Sequence, residues 1–508
     1  MLVSEAVGAA LTGLGADTVF GVVGSGNFHV TNALIARGAT FYAARHEGGA
    51  ACMADGWARA AGRVGLLCVH QGPGLTNAMT GITEAAKSRT PLLVLAADVA
   101  GAAVLSNFRI DVAALATSVG AEADRLHSPG SAVTDVVRAY QTALTQRRTV
   151  VLAMPLDVQA AQCDPPVLRP PPALRPCPPA AEAVAGLARA LRGAQRPVFV
   201  AGRGARIAGA GPDLARLAGA CGALLATSAA AKGLFRGDPW DLDVSGGFAT
   251  PLAAELIGAA DLIVGWGCSL NMWTMRHGRL IGQDATVVQV DDEAPAIGAH
   301  RPVDVGVLGD AGQTAQAVLA AFGGEITAGY RSPELQARIA REGRWRDVPY
   351  ADEGTAAGPG GGAAGGTGGS AGGGQRIDPR TLTIALDDLL PAERMVSVDS
   401  GNFMGYPSMF LSVPDASAFC FTQAYQSIGL GLASAVGAAL AQPGRLPVAA
   451  LGDGGALMGI SELETVVRLG LPMVIVVYDD EAYGAEVHHF GPDGHPLDTV
   501  RFPPADIA

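Results

Sequence analysis

Residues 446–480 read LPVAALGDGGALMGISELETVVRLGLPMVIVVYDD. This stretch predicts a strand, the glycine turn Gly452-Asp453-Gly454-Gly455, a helical run over 461–470, and an apolar strand over 472–478 that ends in Asp479-Asp480. Strand, turn, helix and strand make one βαβ unit, the building block of a parallel sheet. An acid stands at each end of it, and Asp480 follows Asp453 by 27 residues. Hard oxygen ligands suit Mg²⁺, which completes its shell with phosphate oxygens and water. The backbone N–H groups of Gly454, Gly455 and Ala456, at a helix start, are free to face those same phosphates. The segment is therefore expected to clamp a diphosphate through a metal held by Asp453 and Asp480. A solvated turn between strand and helix is the plainer alternative.

At 508 residues the chain is long enough for about three domains. Charged residues are 16% and hydrophobic ones 49%, a composition suited to α/β sheets covered on both faces. A net charge of −12 supplies no basic stripe and argues against nucleic acid as a partner. Seven cysteines, at 52, 68, 163, 177, 221, 268 and 420, contain no C-x-x-C. They are expected as reduced, mostly buried thiols of a cytoplasmic protein. The opening Met-Leu-Val-Ser-Glu has neither a basic region nor an apolar core, so no secretion signal is expected. The uncharged run 416–444 is long enough to cross a membrane, but its Gln423, Gln426, Ser427 and repeated Gly and Ala suit it poorly to lipid. It is expected instead as a buried helix that lets another subunit or a cofactor approach closely, with no membrane partner.

Apolar strands over 18–23, 64–69, 91–96 and 149–154 alternate with Ala-rich helical stretches, which predicts a first parallel domain over 1–163. A proline-dense connector, 164–179, leads to a second α/β domain over 180–325, with strands near 196–202, 261–267 and 286–291. Residues 354–376 are almost wholly Gly, Ala, Ser and Thr and are expected as a flexible tether. A third domain occupies 377–508. Val23-Gly24-Ser25-Gly26-Asn27-Phe28 is echoed by Val398-Asp399-Ser400-Gly401-Asn402-Phe403, each after an apolar strand. Either the first and third domains share a fold, or two glycine turns coincide.

The clamp pattern, the echo and the order of domains resemble the thiamine-diphosphate-dependent enzymes, in the group of acetolactate synthase, pyruvate oxidase and benzoylformate decarboxylase. The resemblance implies three doubly wound parallel-sheet domains that bind the pyrimidine, lie in the middle, and bind the diphosphate. It implies thiamine diphosphate and Mg²⁺ as cofactors, with the backbone carbonyl of Ala482 as a third metal ligand. Where the family carries Asn, this chain has Asp480, which adds a negative charge beside the diphosphate and implies tighter metal dependence or weaker diphosphate binding. Arg45-His46-Glu47-Gly48-Gly49-Ala50 leads into a helix expected over 51–61. By resemblance Glu47 hydrogen-bonds the cofactor's pyrimidine ring and exchanges a proton with it. Apolar surroundings would raise its pKa and suit it to that work near neutrality. The alternative is an acid that merely complements a helix N-terminus.

Val69-His70-Gln71-Gly72-Pro73-Gly74-Leu75-Thr76-Asn77 sits at a strand end, where open α/β sheets bind ligands. Its Gly-Pro-Gly-x-Thr-Asn portion looks like acetolactate synthase, while a histidine at its start is like benzoylformate decarboxylase. His70 is thus expected to transfer a proton or hold the substrate carboxylate, or to be structural. By resemblance Gly24, Ser25, Gly26, Asn27 and Gln71 are expected on the substrate side, with an ordinary strand–helix turn as the alternative for residues 24–27. Ile428 aligns with the bulky apolar residue that wedges under the cofactor, with a plain core isoleucine as the alternative. Gly401 and Asn402 are placed near the diphosphate. Trp266-Gly267-Cys268-Ser269-Leu270 and Val288-Gln289-Val290-Asp291 resemble the middle domain, which holds FAD in some members; no separate fingerprint supports FAD here.

Two departures qualify the substrate. Acetolactate synthases carry a Phe-Gln-Glu type motif where this chain reads Phe108-Arg109-Ile110-Asp111. The chain also stops at residue 508 as a helix is expected to begin, short of elements by which relatives cover the site. The reading is acetolactate-synthase-like carboligation of a 2-oxo acid. Simple decarboxylation and a non-catalytic cofactor-binding relative are the alternatives. Glu47 and the metal residues meet across a subunit boundary in this family, which implies a homodimer or homotetramer.

Overall fold

The computed structural model describes residues 1–168, 175–354, 376–503 and 505–507. The tether expected at 354–376 lies outside the described residues except for its two ends. The described parts of the connector, 164–168 and 175–179, carry no helix or strand.

Three parallel sheets form the scaffold, and the fold is the doubly wound α/β class. The first contains β1 (Thr18–Gly21), β2 (Thr40–Ala43), β3 (Gly65–Val69), β4 (Leu92–Asp98), β5 (Glu122–Arg125) and β6 (Thr149–Pro155), in the order β2-β1-β3-β4-β6-β5. The second contains β7 (Pro197–Ala201), β8 (Leu224–Thr227), β9 (Asp241–Val244), β10 (Leu262–Trp266), β11 (Thr286–Asp291) and β12 (Val305–Leu308), in the order β12-β11-β10-β7-β8-β9. The third runs β14-β13-β15-β16, from β13 (Arg394–Val398), β14 (Phe419–Phe421), β15 (Leu446–Gly452) and β16 (Val474–Tyr478). Continuous apolar runs make these strands because both faces are covered. In β4, Leu92, Val94 and Ala96 enter one core while Leu93 and Leu95 enter the other. In β10, Val264 and Trp266 likewise point away from Ile263. Period-2 alternation thus feeds two cores from one strand.

The chain divides into two compact units. One comprises Met1–Leu174, Glu393–Met404 and Cys420–Val500 and carries the first sheet with most of the third; the other holds the second sheet. In the first unit the Glu47–Ala61 helix packs along the Gly431–Ala441 helix. The approach is close enough that a Cβ at Gly56 would overlap the Ser434 carbonyl, and one at Gly437 the Met53 carbonyl. The uncharged run 416–444 therefore contributes a buried helix of eleven residues, and its close neighbour is a helix of the same chain. Among the described residues no helix is long and apolar enough to cross a membrane. All seven cysteines are free; Cys177 is exposed, Cys163 half-buried and the others buried.

Gly437→Ala is expected to destabilise the first unit by about 1–3 kcal/mol, because the backbone it would strike cannot rotate away. Gly444→Ala, whose Cβ meets open space, is expected to stay within about 0.5 kcal/mol. Urea denaturation of the two variants checks the contrast.

Candidate active site

Adjacent strand ends of the first sheet bring several of the sequence-predicted residues together. β1 pairs with β3 through Gly21 and Cys68, so the Gly24-Ser25-Gly26-Asn27 turn stands beside His70 and Gln71. Asn27 is fully buried. Its Oδ1 accepts from Gly24 N–H at 2.8 Å and its Nδ2 donates to the Val22 carbonyl at 3.1 Å, so the amide is committed to its own turn. Ser25 is exposed. Gln71 is buried against Gly26, and among the described residues its Oε1 has no hydrogen-bond partner. The Gly26 N–H donates to His70 Nδ1 at 3.1 Å. An accepting Nδ1 places the proton of neutral His70 on Nε2. Burial lowers the His70 pKa from its usual 6.5, and the negative charge of Glu47 opposes that shift. In Glu47→Gln the opposing charge is gone, so the His70 pKa is expected to fall further. A rise on NMR titration of the ring would contradict this electrostatic account.

Glu47 is the first residue of its helix, four residues earlier than the sequence suggests, because His46 caps it: His46 Nδ1 accepts from Gly48 N–H at 3.0 Å. Glu47 is half-buried, not enclosed in apolar side chains, and its Oε2 accepts from Asn77 Nδ2 at 3.1 Å. The main chain before it is held by a residue the sequence reading passed over. Glu462, 2% exposed, accepts from the Arg45 and His46 N–H groups, each at 3.0 Å to Oε1, and from the Thr465 hydroxyl at 2.7 Å. Thus a carboxylate from the segment between β15 and β16 fixes the backbone that presents Glu47.

The second cluster lies at the carboxyl ends of β15 and β16, which pair in register up to Gly452 and Tyr478. That register sets Asp453 beside Asp479. Burial, then the Asp479 charge, raises the Asp453 pKa, while the Gly454 N–H opposes it. Burial followed by the Asp453 charge pushes Asp480 up to about 6, against a hydrogen bond from the Ala482 N–H and the charge of nearby His488. Three acids are thus crowded at one edge. The helix that follows β15 is not continuous: Asp453–Met458 is followed by a 3₁₀ turn, Ile460–Glu462, and then Leu463–Arg468. Glycines at 454, 455 and 459 weaken helix propensity there.

Beyond Gly454 there is open space, whereas Gly455 faces the Asp399 carboxylate and the Ile428 side chain; Ala456 is buried. Ile428 is 40% exposed and so lies outside the buried core of this chain. Asp399 is fully buried and accepts from the N–H groups of Ser400 (2.8 Å), Gly429 (2.9 Å) and Leu430 (3.2 Å), tying the end of β13 to the loop that carries Ile428. Burial pushes its pKa up to about 6 against those hydrogen bonds. Gly401 has φ +143°, and the exposed Asn402 lies against Gly484, itself packed on the Asp480 carboxylate.

Each cluster is assembled by the fold, but among the described residues no hydrogen bond or charge interaction joins Glu47 to Asp453 or Asp480. Nor do three His, Cys, Asp or Glu side chains among them converge as a metal site. Two crowded carboxylates, Asp453 and Asp480, fall outside that pattern, and they fit a hard divalent cation: oxygen atoms only, with mutual repulsion that a cation relieves. A cavity of about 690 Å³ lies elsewhere, at the carboxyl ends of β4, β5 and β6. In the second sheet, Gln289 holds its surroundings together, donating to the carbonyls of Cys268 (3.3 Å) and Ala296 (3.0 Å) and accepting from Gly298 N–H (2.9 Å).

Three family models match the chain: the N-terminal TPP binding domain of thiamine pyrophosphate enzymes over residues 1–111, their central domain over 184–318, and their C-terminal TPP binding domain over 399–507. Among curated proteins, a sulfoacetaldehyde acetyltransferase of Rhodobacter capsulatus is 28% identical, covering 96% of this chain and 83% of that protein. A probable 2-ketoarginine decarboxylase of Pseudomonas aeruginosa is 29% identical over 94% of this chain and 82% of its own length. The large subunit of acetolactate synthase isozyme 2 of Escherichia coli is 26% identical over 94% and 82%.

Proposed function

Because this chain belongs to the thiamine pyrophosphate enzyme family, we propose that it uses thiamine diphosphate and Mg²⁺ to break and form a C–C bond of a 2-oxo acid. Carboligation of the acetolactate synthase kind is the first reading. The observation that carries the cofactor assignment is the register of β15 and β16, which sets Asp453, Asp479 and Asp480 at one sheet edge beside the exposed Ile428 and the open face of Gly454. Asp453, Asp480 and the Ala482 carbonyl hold the metal. The N–H groups of Gly455 and Ala456, with that of Gly454 once released from Asp453, meet the diphosphate, and Gly401 and Asn402 border it. Ile428 would pack against the cofactor's rings.

When bound, the cofactor would supply the carbon nucleophile and electron sink that decarboxylation of a 2-oxo acid requires. The remaining work falls to side chains of this chain. Glu47, fastened by Asn77 and by the backbone that Glu462 holds, exchanges a proton at its Oε atoms with the aminopyrimidine. His70 presents Nε2–H as a donor to the substrate carboxylate or the developing carbanion. Ser25, the backbone of Gly24 and Gly26, and the unpaired Gln71 Oε1 border the substrate; Asn27 shapes the turn. On this reading a second copy of the chain brings its carboxylate cluster to Glu47, as the family resemblance implies, and the active unit is a homodimer or a homotetramer.

The acetyltransferase and synthase names of two relatives favour transfer to an acceptor; the decarboxylase name of the third, together with His70, favours simple decarboxylation as the second reading. The test is CO₂ release and product analysis on a panel of 2-oxo acids, with and without thiamine diphosphate and Mg²⁺. Cofactor-dependent release with 2-hydroxy-ketone products supports carboligation, and aldehyde alone supports decarboxylation. Cofactor binding without turnover identifies a non-catalytic relative. No effect of either addition on activity or thermal stability removes the assignment.

A further inference from the structure

The cavity at the carboxyl ends of β4, β5 and β6 takes no part in the cofactor site described above. Its volume of about 690 Å³ suits a small molecule, and the ends of parallel strands are where open α/β sheets bind ligands. Six of its lining residues, Asp98, Arg109, Asp111, Asp124, Arg125 and His127, are ionisable. Five of the six have partners. Asp98 pairs with Arg125 at 2.8 Å, Asp124 with Arg138, and His127 with Asp135 at 3.3 Å. Asp111 caps the Val112–Ser118 helix, accepting from Ala114 N–H at 2.9 Å. Arg109 is exposed, and among the described residues its guanidinium has no ion pair or hydrogen bond. Arg125 gives one donor to Asp98 and retains others in its fork. The acids are thus engaged while guanidinium donors remain open.

The cavity also adjoins the proposed reaction side. Phe108, the residue before Arg109, sets its ring edge-on to His70 at 5.3 Å between centroids, and its carbonyl lies against Gly72 in the turn that follows β3. Phe108 thus links the His70 turn to the segment, beginning at Arg109, that lines the cavity.

We propose that Arg109, assisted by Arg125, forms a subsite for a small oxyanion carried by the substrate or acceptor, a carboxylate or a sulfonate distant from the reacting carbonyl. This rests on the reading that 2-oxo acid chemistry occurs beside His70. The guanidinium fork matches either group by paired N–H donors. The two sources are separated by their own probes.

The direct test is calorimetric binding of propionate, ethanesulfonate, inorganic phosphate and neutral propionamide to the full chain and to Arg109→Gln and Arg109→Lys. Propionate or ethanesulfonate is expected to bind in preference to propionamide, and the tighter of the two names the group. Arg109→Gln is expected to weaken it by about tenfold, the loss of one charge-assisted hydrogen bond, with partial recovery in Arg109→Lys. With aldehyde acceptors, the ratio of kcat/KM for an anionic over a neutral acceptor is expected to fall by a similar factor in Arg109→Gln. Equal binding of the anions to wild type and Arg109→Gln, or a preference for inorganic phosphate, overturns the subsite. Absence of cofactor-dependent turnover removes the reading on which the acceptor arm depends, and the binding arm still decides whether Arg109 holds an oxyanion.

Discussion

Glu47→Gln is expected to bind thiamine diphosphate with affinity close to that of the wild type while turnover falls by about 10²- to 10⁴-fold, the range that positioned acid–base groups contribute. Glutamine has the size of glutamate and can still accept from Asn77 Nδ2, and the N–H groups of Arg45 and His46 remain fixed by Glu462. The backbone and the hydrogen bond to the helix start therefore survive. What is lost is the exchangeable proton. Glu47→Ala would confuse this with loss of the Asn77 contact, so the isosteric variant is the informative one. Steady-state rates beside a cofactor titration check the split between binding and turnover. Full activity in Glu47→Gln would exclude the relay.

Asp453 and Asp480 are expected to respond in different ways. Asp453→Ala removes the carboxylate proposed to hold the metal at the start of its helix and is expected to weaken Mg²⁺-dependent cofactor binding by at least about 100-fold, since even outer-shell partners of metal ligands contribute 10- to 100-fold. Asp480→Asn keeps an oxygen ligand and removes one of three crowded negative charges. At saturating Mg²⁺ the variant is expected to bind thiamine diphosphate more tightly, by about tenfold if the relieved repulsion is about 1.4 kcal/mol. Its half-saturating Mg²⁺ concentration is expected to rise, because a neutral amide holds the cation less strongly than a carboxylate. Weaker diphosphate binding at every Mg²⁺ concentration would show that the Asp480 charge is needed for more than holding the metal.

Much of the fold was legible because its central strands are uninterrupted apolar runs. Residues 446–480 declare a βαβ unit, and β4, β6, β10 and β11 lie where the patterns place them to within a few residues. The sheet edges were not legible. β5 reads Glu-Ala-Asp-Arg, and β2 is four residues long and partly exposed. Edge strands carry charge and few apolar positions, so period and propensity do not announce them. The start of the Glu47 helix was missed because its cap is a histidine side chain rather than Ser, Thr, Asp or Asn.

The candidate site divides along the same line. Asp453 and Asp480 stand in a local spacing that can be read directly. Glu462 acts on backbone 416 and 417 residues away, and Asp399 on residues 30 and 31 away; no local pattern encodes such partners. Asn27 looked free to meet a ligand because a sequence does not reveal that its amide closes its own turn. In the sequence Arg109 stands only as a departure from a motif; that among the described residues its guanidinium has no partner, while the neighbouring acids are engaged, is a property of the fold.

At the centre of the proposed site, acids at the ends of β15 and β16 hold a divalent cation that in turn holds a diphosphate. Calorimetric titration of the full chain with thiamine diphosphate, in Mg²⁺ and again in EDTA, measures this directly. Saturable binding in Mg²⁺ that is lost in EDTA and abolished by Asp453→Ala is the expected result. Equal affinity with and without the metal, or binding untouched by Asp453→Ala, would contradict it.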